Sequence, residues 1–146
     1  MNKNKRSGLS LIELLLVIAI VAILGAITIP FTSSWISKSA VADKTNEVVS
    51  FLRSAQSGSI SGKAGGPWGV KTEATKAILF QGSTYAGRNT TYDQVITFPS
   101  VITATNAEVV FDTLSGNPAN AVTITVSSTR KTKTISVSAT GTINVN

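Results

Sequence analysis

The 146-residue sequence contains no cysteine and no histidine. Without cysteine there is no disulfide framework, no thiolate nucleophile and no sulfur ligand for a metal. Without histidine, the general base of most hydrolytic triads is missing. The lack of cysteine fits an oxidising and a reducing compartment equally well, so redox logic does not place the protein. Charged residues make up only 14% of the chain, and acids are the scarcer sign, 7 against 13 bases, for a net charge of +6. Three of those bases, Lys3, Lys5 and Arg6, sit in a short tail, and the remainder holds ten basic against seven acidic residues. The high isoelectric point is therefore largely a property of the tail and a weak argument for nucleic-acid binding. The length suits one modest domain.

What the sequence does have is a dense apolar block. Residues 9–31, LSLIELLLVIAIVAILGAITIPF, carry a single charge, Glu13. As a helix the block would span ~34 Å at ~1.5 Å per residue, enough to cross a hydrocarbon core of ~30 Å. The basic flank MNKNKRSG would stay on the cytoplasmic side, with the rest of the chain outside. Two simpler readings compete. A secretory signal peptide would have an apolar region of about 7–15 residues followed by a small-x-small cleavage site; this block is longer and no such site follows it. A plain single-pass anchor explains the length and the flank but leaves Glu13 unexplained. A carboxylate in a membrane helix costs roughly 2.5–3.5 kcal/mol at the centre and is usually paired or functional.

The run Gly8-Leu9-Ser10-Leu11-Ile12-Glu13 resembles the prepilin cleavage motif of type IV pilins and type II secretion pseudopilins. The resemblance implies cleavage after Gly8 by a prepilin peptidase and N-methylation of Leu9 as the first mature residue. It places Glu13 at the family's assembly glutamate, and Pro30 where a helix-bending proline is common. It departs from the pattern at Leu9, where phenylalanine is the commoner residue. It further implies a cell-membrane protein, single-pass with its leader in the cytoplasm, later an extracytoplasmic or cell-surface filament. The implied partners are other pilin or pseudopilin subunits, an assembly platform and its ATPase. Physical chemistry gives Glu13 a matching role. Cleavage frees a positive α-amino group on Leu9, and a carboxylate four residues on lies on the same helix face. In an apolar bundle it would neutralise that amine or a neighbouring subunit's, and pairing would select the stagger between subunits.

Beyond the block, Val41, Val48, Leu52 and Ala55 recur at helical spacing, widened by Val49 and Phe51, with Lys38, Asp43, Lys44, Glu47 and Arg53 elsewhere on the surface. Gly25 and Pro30 should bend or loosen the helix, and SGKAGGP at 61–67 should end it. Strand-like segments follow at 68–71, 77–81, 95–98, 108–112, 122–127, 134–138 and 142–145. Alternation is clearest in VTITVS and TISVS, where Val122, Ile124 and Val126, then Ile135 and Val137, share a face. LSGNPAN and SATG are turn chemistry. The expected fold is α+β, a long N-terminal α-helix with a membrane-spanning first half and a second half packed on one antiparallel β-sheet head. This divides the chain into a leader (1–8), a transmembrane and assembly helix (9–31), an amphipathic helix (32–61) and a β-sheet head (62–146). The order of LRSAQS, Trp68-Gly69-Val70, VVFDTLSGNP, TITV and TISVSATGTINV resembles the GspH/FimT-type minor pilins.

No catalytic residue, metal ligand or cofactor is expected. Glu73, Asp93, Glu108 and Asp112 are scattered, no Ca²⁺-type loop appears, and Gly65-Gly66-Pro67 is a breaker rather than a phosphate cradle. Arg130, Lys131 and Lys133 form a basic cluster read as a hairpin tip. It is either a solvated turn that discourages edge pairing or a polyanion contact, since some pilins of this kind bind DNA. Those that do tend to have a base after the glycine near the C-terminus, where this chain has Thr142. Three function classes follow: a structural filament subunit, an adhesive or DNA-binding minor pilin, and a membrane-anchored protein unrelated to filaments.

Overall fold

The computed structural model describes residues 10–146, apart from the side chains of residues 26–38. Its elements are one long helix and eight antiparallel strands, an α+β protein. The chain divides into two compact units, Met1–Trp35 and Ile36–Asn146. Helix α1, Leu11–Ile60, belongs to both. Neither Gly25 nor Pro30 ends it. The loosening expected at Pro30 falls where the side chains lie outside the described part.

α1 stops where the glycine-rich run begins. Ser61 N–H bonds the Ser57 carbonyl at 3.0 Å, and Gly62 N–H bonds that of Ser59 at 3.1 Å. Gly62 takes a left-handed conformation (φ 62°) that closes the helix at low cost for a residue without Cβ. A single 3₁₀ turn, Lys63–Gly65, leads into β1.

The second unit holds two four-stranded sheets, not the single sheet expected. Sheet one has the order β3-β2-β1-β5, from β1 (Trp68–Glu73), β2 (Lys76–Gln81), β3 (Asn89–Thr97) and β5 (Ala107–Phe111). Sheet two has the order β4-β6-β7-β8, from β4 (Thr103–Ala104), β6 (Val122–Ser127), β7 (Thr132–Val137) and β8 (Ile143–Val145). β4 belongs to the second sheet although it precedes β5 of the first, so the chain passes between the sheets both before and after β5. Phe111 forms an isolated bridge with Pro118, and a proline has no N–H with which to extend a ladder. Two strand expectations also needed correction. β3 starts at Asn89 rather than Val95, because its first half, NTTY, is an exposed edge with no apolar alternation to reveal it. β4 is only two residues long, too short to carry a period.

One core joins the helix to both sheets. Val41, Val48, Leu52 and Ala55 are fully buried, with Val49 beside them and Phe51 half-buried against them. They share that core with Val70, Leu79, Val109 and Phe111 of sheet one and Ile124, Val126, Ile135 and Val137 of sheet two. The register sets Ile124 opposite Ile135 and Val122 opposite Val137, so the face read from VTITVS and TISVS is the core face. Each such side chain contributes roughly 1.5–3 kcal/mol on burial.

The buried stripe of α1 includes two polar residues that hydrophobic spacing does not announce, Thr45 and Ser59. Thr45 satisfies itself within the helix, its hydroxyl donating to the Val41 carbonyl at 2.6 Å. Ser59 works between elements. Its Oγ accepts from Trp68 N–H at 2.8 Å and donates to the Phe111 carbonyl at 2.9 Å, tying the starting end of β1 and the end of β5 to the helix terminus. One turn earlier, Gln56 Nε2 donates to the carbonyls of Gly116 and Gly141 at 3.0 and 2.9 Å. Ser59→Ala would leave the buried Trp68 N–H and Phe111 carbonyl unpaired. We expect a loss of about 1–3 kcal/mol in denaturant unfolding, against less than ~0.5 kcal/mol for exposed Ser57→Ala. Equal effects of the two variants would show that Ser59 is not a tie.

Candidate functional site: the apolar first half of the helix

Ser10 lies just before α1, and its backbone carbonyl accepts from the N–H groups of Glu13 and Leu14 at 3.0 and 3.1 Å. Ser10-x-x-Glu13 is thus the pattern of a capping box, with the acid at the third helical position. Glu13 is the acidic residue of the first turn, where a carboxylate is favoured by the unpaired N–H groups and the positive end of the helix dipole.

Around Glu13 and as far as Gly25 the helix is apolar on every side. Leu11, Ile12, Leu14, Val21, Ile23 and Leu24 all expose more than half of their surface, Leu11 as much as 78%. A helix that is hydrophobic all round has to be covered by something, and an uncovered apolar surface of this extent marks an interaction site. Among the described residues no helix is long and apolar enough to cross a membrane. The described side chains of this run end at Gly25, and residues 11–25 rise only ~21 Å. Gly8 and Leu9, the expected cleavage and methylation positions, lie outside the described residues.

The remaining sites of interest are in the second unit. The structure separates the basic cluster. Arg130 and Lys131 lie in the β6–β7 turn, closed by Ser128 N–H on the Lys131 carbonyl at 2.8 Å. Lys133 is not at the tip. It lies in β7 opposite Val126, on the core-facing side of the sheet and half-buried. The misplacement has a simple cause: the strand starts at Thr132, two residues earlier than the apolar alternation shows.

The acids of this unit are mostly paired with bases rather than with each other. Glu73 bonds Lys76 at 3.5 Å and Glu108 bonds Lys71 at 3.6 Å. Asp93 Oδ2 accepts from Arg88 Nε at 2.8 Å, which holds the Arg88 guanidinium above its ordinary pKa and so charged. Arg88 lies 3.9 Å from the centre of the Tyr85 ring, and Tyr85 meets Phe80 edge-on at 5.6 Å. This arrangement covers Ile78 and Phe80, which β2 buries on the face away from the main core. It reads as a clamp on the β2–β3 loop. A cavity of about 300 Å³ lies between β5 and the 118–122 segment. Its one ionisable lining residue is Glu108, already bonded to Lys71 and to Tyr85 N–H. Among the described residues no three His, Cys, Asp or Glu side chains gather as metal ligands.

The lone carboxylate and the exposed apolar run lie at the end of the chain to which comparison with known proteins also points. No curated protein and no solved structure matches it. Residues 3–29 match the prokaryotic N-terminal methylation motif, so the chain carries the processing and methylation signal of type IV pilin-like proteins.

Proposed function

We propose that this chain is a structural subunit of a type IV pilus or of a type II secretion or competence pseudopilus, in the role of a minor pilin or pseudopilin. The observation that carries the reading is the apolar run of residues 11–25, exposed on all sides, with Glu13 as its single charge inside the matched methylation motif. A prepilin peptidase cuts after Gly8, and Leu9 is then N-methylated. The subunit waits in the cell membrane as a single-pass protein with its leader in the cytoplasm, and residues 9–31 cross the bilayer. An assembly platform and its ATPase draw it into a filament, where neighbouring helices replace lipid around the apolar surface. The chain performs no reaction and takes no cofactor. The order of helix, short glycine-rich break and strands supports a head of the GspH/FimT kind.

Glu13 has two separable tasks in this scheme. Within its own helix it favours the first turn, a contribution of about 0.3–1 kcal/mol. Between subunits it neutralises the amine of a mature Leu9, and an unpaired buried charge there costs about 3–5 kcal/mol. Glu13→Ala should therefore be cut and methylated normally, leave the unfolding midpoint of the second unit unchanged, and enter filaments at least ~10-fold less. Recovery of this variant in filaments at the level of the parent chain would defeat the assembly role.

The first experiment is mass spectrometry of the mature protein. We expect an N-terminus at Leu9 carrying one added methyl group. A protein from the native cell that still begins at Met1, in a strain with an active prepilin peptidase, would refute the processing step.

A further inference from the structure

The second unit closes most of its strand edges and leaves one open. Sheet two is bounded by β4, two residues long, and β8, three residues long, and very short edge strands offer little to a pairing strand. The outer edge of β5 is closed at both ends, by Thr105 N–H on the Thr125 carbonyl at 3.0 Å and by the bridge from Phe111 to Pro118. β3, at the other edge of sheet one, is nine residues long, and among the described residues no strand lies on its outer side. It lacks the residues that usually blunt an edge. It contains no lysine, arginine or proline, and its one charge, Asp93, is taken up by Arg88 at 2.8 Å. The register with β2 slips between Leu79 and Gln81, which disturbs the first half of β3, but from Gln94 to Thr97 the pairing is regular.

The register also fixes which backbone groups face outward. Phe98 N–H donates to the Thr75 carbonyl at 2.8 Å, one step beyond the pair Lys76–Thr97. Antiparallel pairs alternate between bonded and non-bonded, so Ile96 and Gln94 bond to β2, opposite Ala77 and Leu79. The N–H and C=O groups of Thr97 and Val95 therefore point away from the sheet, and Asp93 is the next position in that series. The side chains of these three residues share one face, on which Val95 is 54% exposed.

The partner that fits such an edge is an extended strand. A copy of β3 itself, turned about a two-fold axis at Val95, is complementary to it. Val95 then lies opposite Val95 of the copy, and Asp93 opposite Thr97, twice over. Outward groups meet outward groups at all three positions, for ~6 N–H···O bonds. The exposed valines cover each other. The two Asp93 residues stay ~14 Å apart along the strands, so no like charges are opposed. Neighbouring registers of the same parity are poorer. One centred on Asp93 sets two carboxylates face to face, and one centred on Thr97 sets Val95 against Pro99, which has no N–H.

We infer that β3 is a self-association edge, pairing antiparallel with β3 of a second copy of this chain in the register centred on Val95. The contact is isologous and closes on itself, so it joins chains in pairs and does not by itself extend into a filament. It uses none of residues 11–25 and does not depend on the filament reading above.

Because the chain has no cysteine, the register is open to a direct test on the full-length protein in detergent micelles. Opposed residues of a bonded pair lie ~5.5 Å apart at Cα, within the about 4.4–6.8 Å that a disulfide spans. Val95→Cys should therefore cross-link to itself under mild oxidation. Thr97→Cys, exposed on the same face, would sit ~14 Å from its counterpart and should cross-link at least ~10-fold more slowly. Adding Thr97→Pro to Val95→Cys removes an N–H that points outward, a position where an edge strand tolerates proline. It should lower the rate to that of Thr97→Cys. Equal rates for Val95→Cys and Thr97→Cys would overturn the inference, because association through the apolar helix alone imposes no register on β3. So would a Val95→Cys rate that Thr97→Pro leaves unchanged, or a Val95→Cys disulfide formed in cells only with a different protein.

Discussion

The fold depends on one stripe of α1 being covered. Val41, Thr45, Val48, Leu52, Ala55 and Ser59 follow one another at intervals of three and four, and all six are buried. Two sheets of four strands each are too small to stand alone, and the helix is the common layer that closes a single core over both. The polar members of the stripe keep that layer in register. Ser59 receives the first N–H of β1 and reaches the last carbonyl of β5, so the helix terminus, the first strand and the edge strand cannot slide independently.

The same helix meets the problem of apolar surface in two ways along its length. In the second unit the apolar residues fall on one stripe, and the protein covers them itself. In residues 11–25 they fall on every side, and among the described residues nothing covers them. A stripe asks for one partner layer, whereas an all-round apolar surface asks for a surrounding medium, either lipid or a bundle of like helices. Glu13 belongs to that second situation. Its place in the first turn lets the helix terminus share its charge, which lowers the cost of holding a carboxylate next to so much apolar surface. The assembly role proposed for Glu13 would draw on the same electrostatics.

The second unit uses its few charges in a different manner. Lys71, Glu108, Arg88 and Asp93 surround Tyr85 above Phe80 and close off the outer face of sheet one. Residues that looked like scattered surface acids in the sequence serve here as a lid on a small second apolar cluster.

The sequence alone determined the features that depend on local pattern. The apolar block, its basic flank, the Gly8–Glu13 run, the helical stripe of residues 41–55, the glycine-rich stop after Ile60 and the alternation of β6 and β7 were all legible, because each is written in neighbouring residues at a fixed period. Only the tertiary structure decided what depends on distant residues meeting. It divided the strands between two sheets and extended β3 through a polar edge. It recruited Ser59 and Gln56 as ties and moved Lys133 from the turn to the core side of β7. A hydrogen-bond partner sixty positions away, or a strand whose outer edge faces water, leaves no period in the sequence; its position is fixed by which backbone groups would otherwise be buried without a partner.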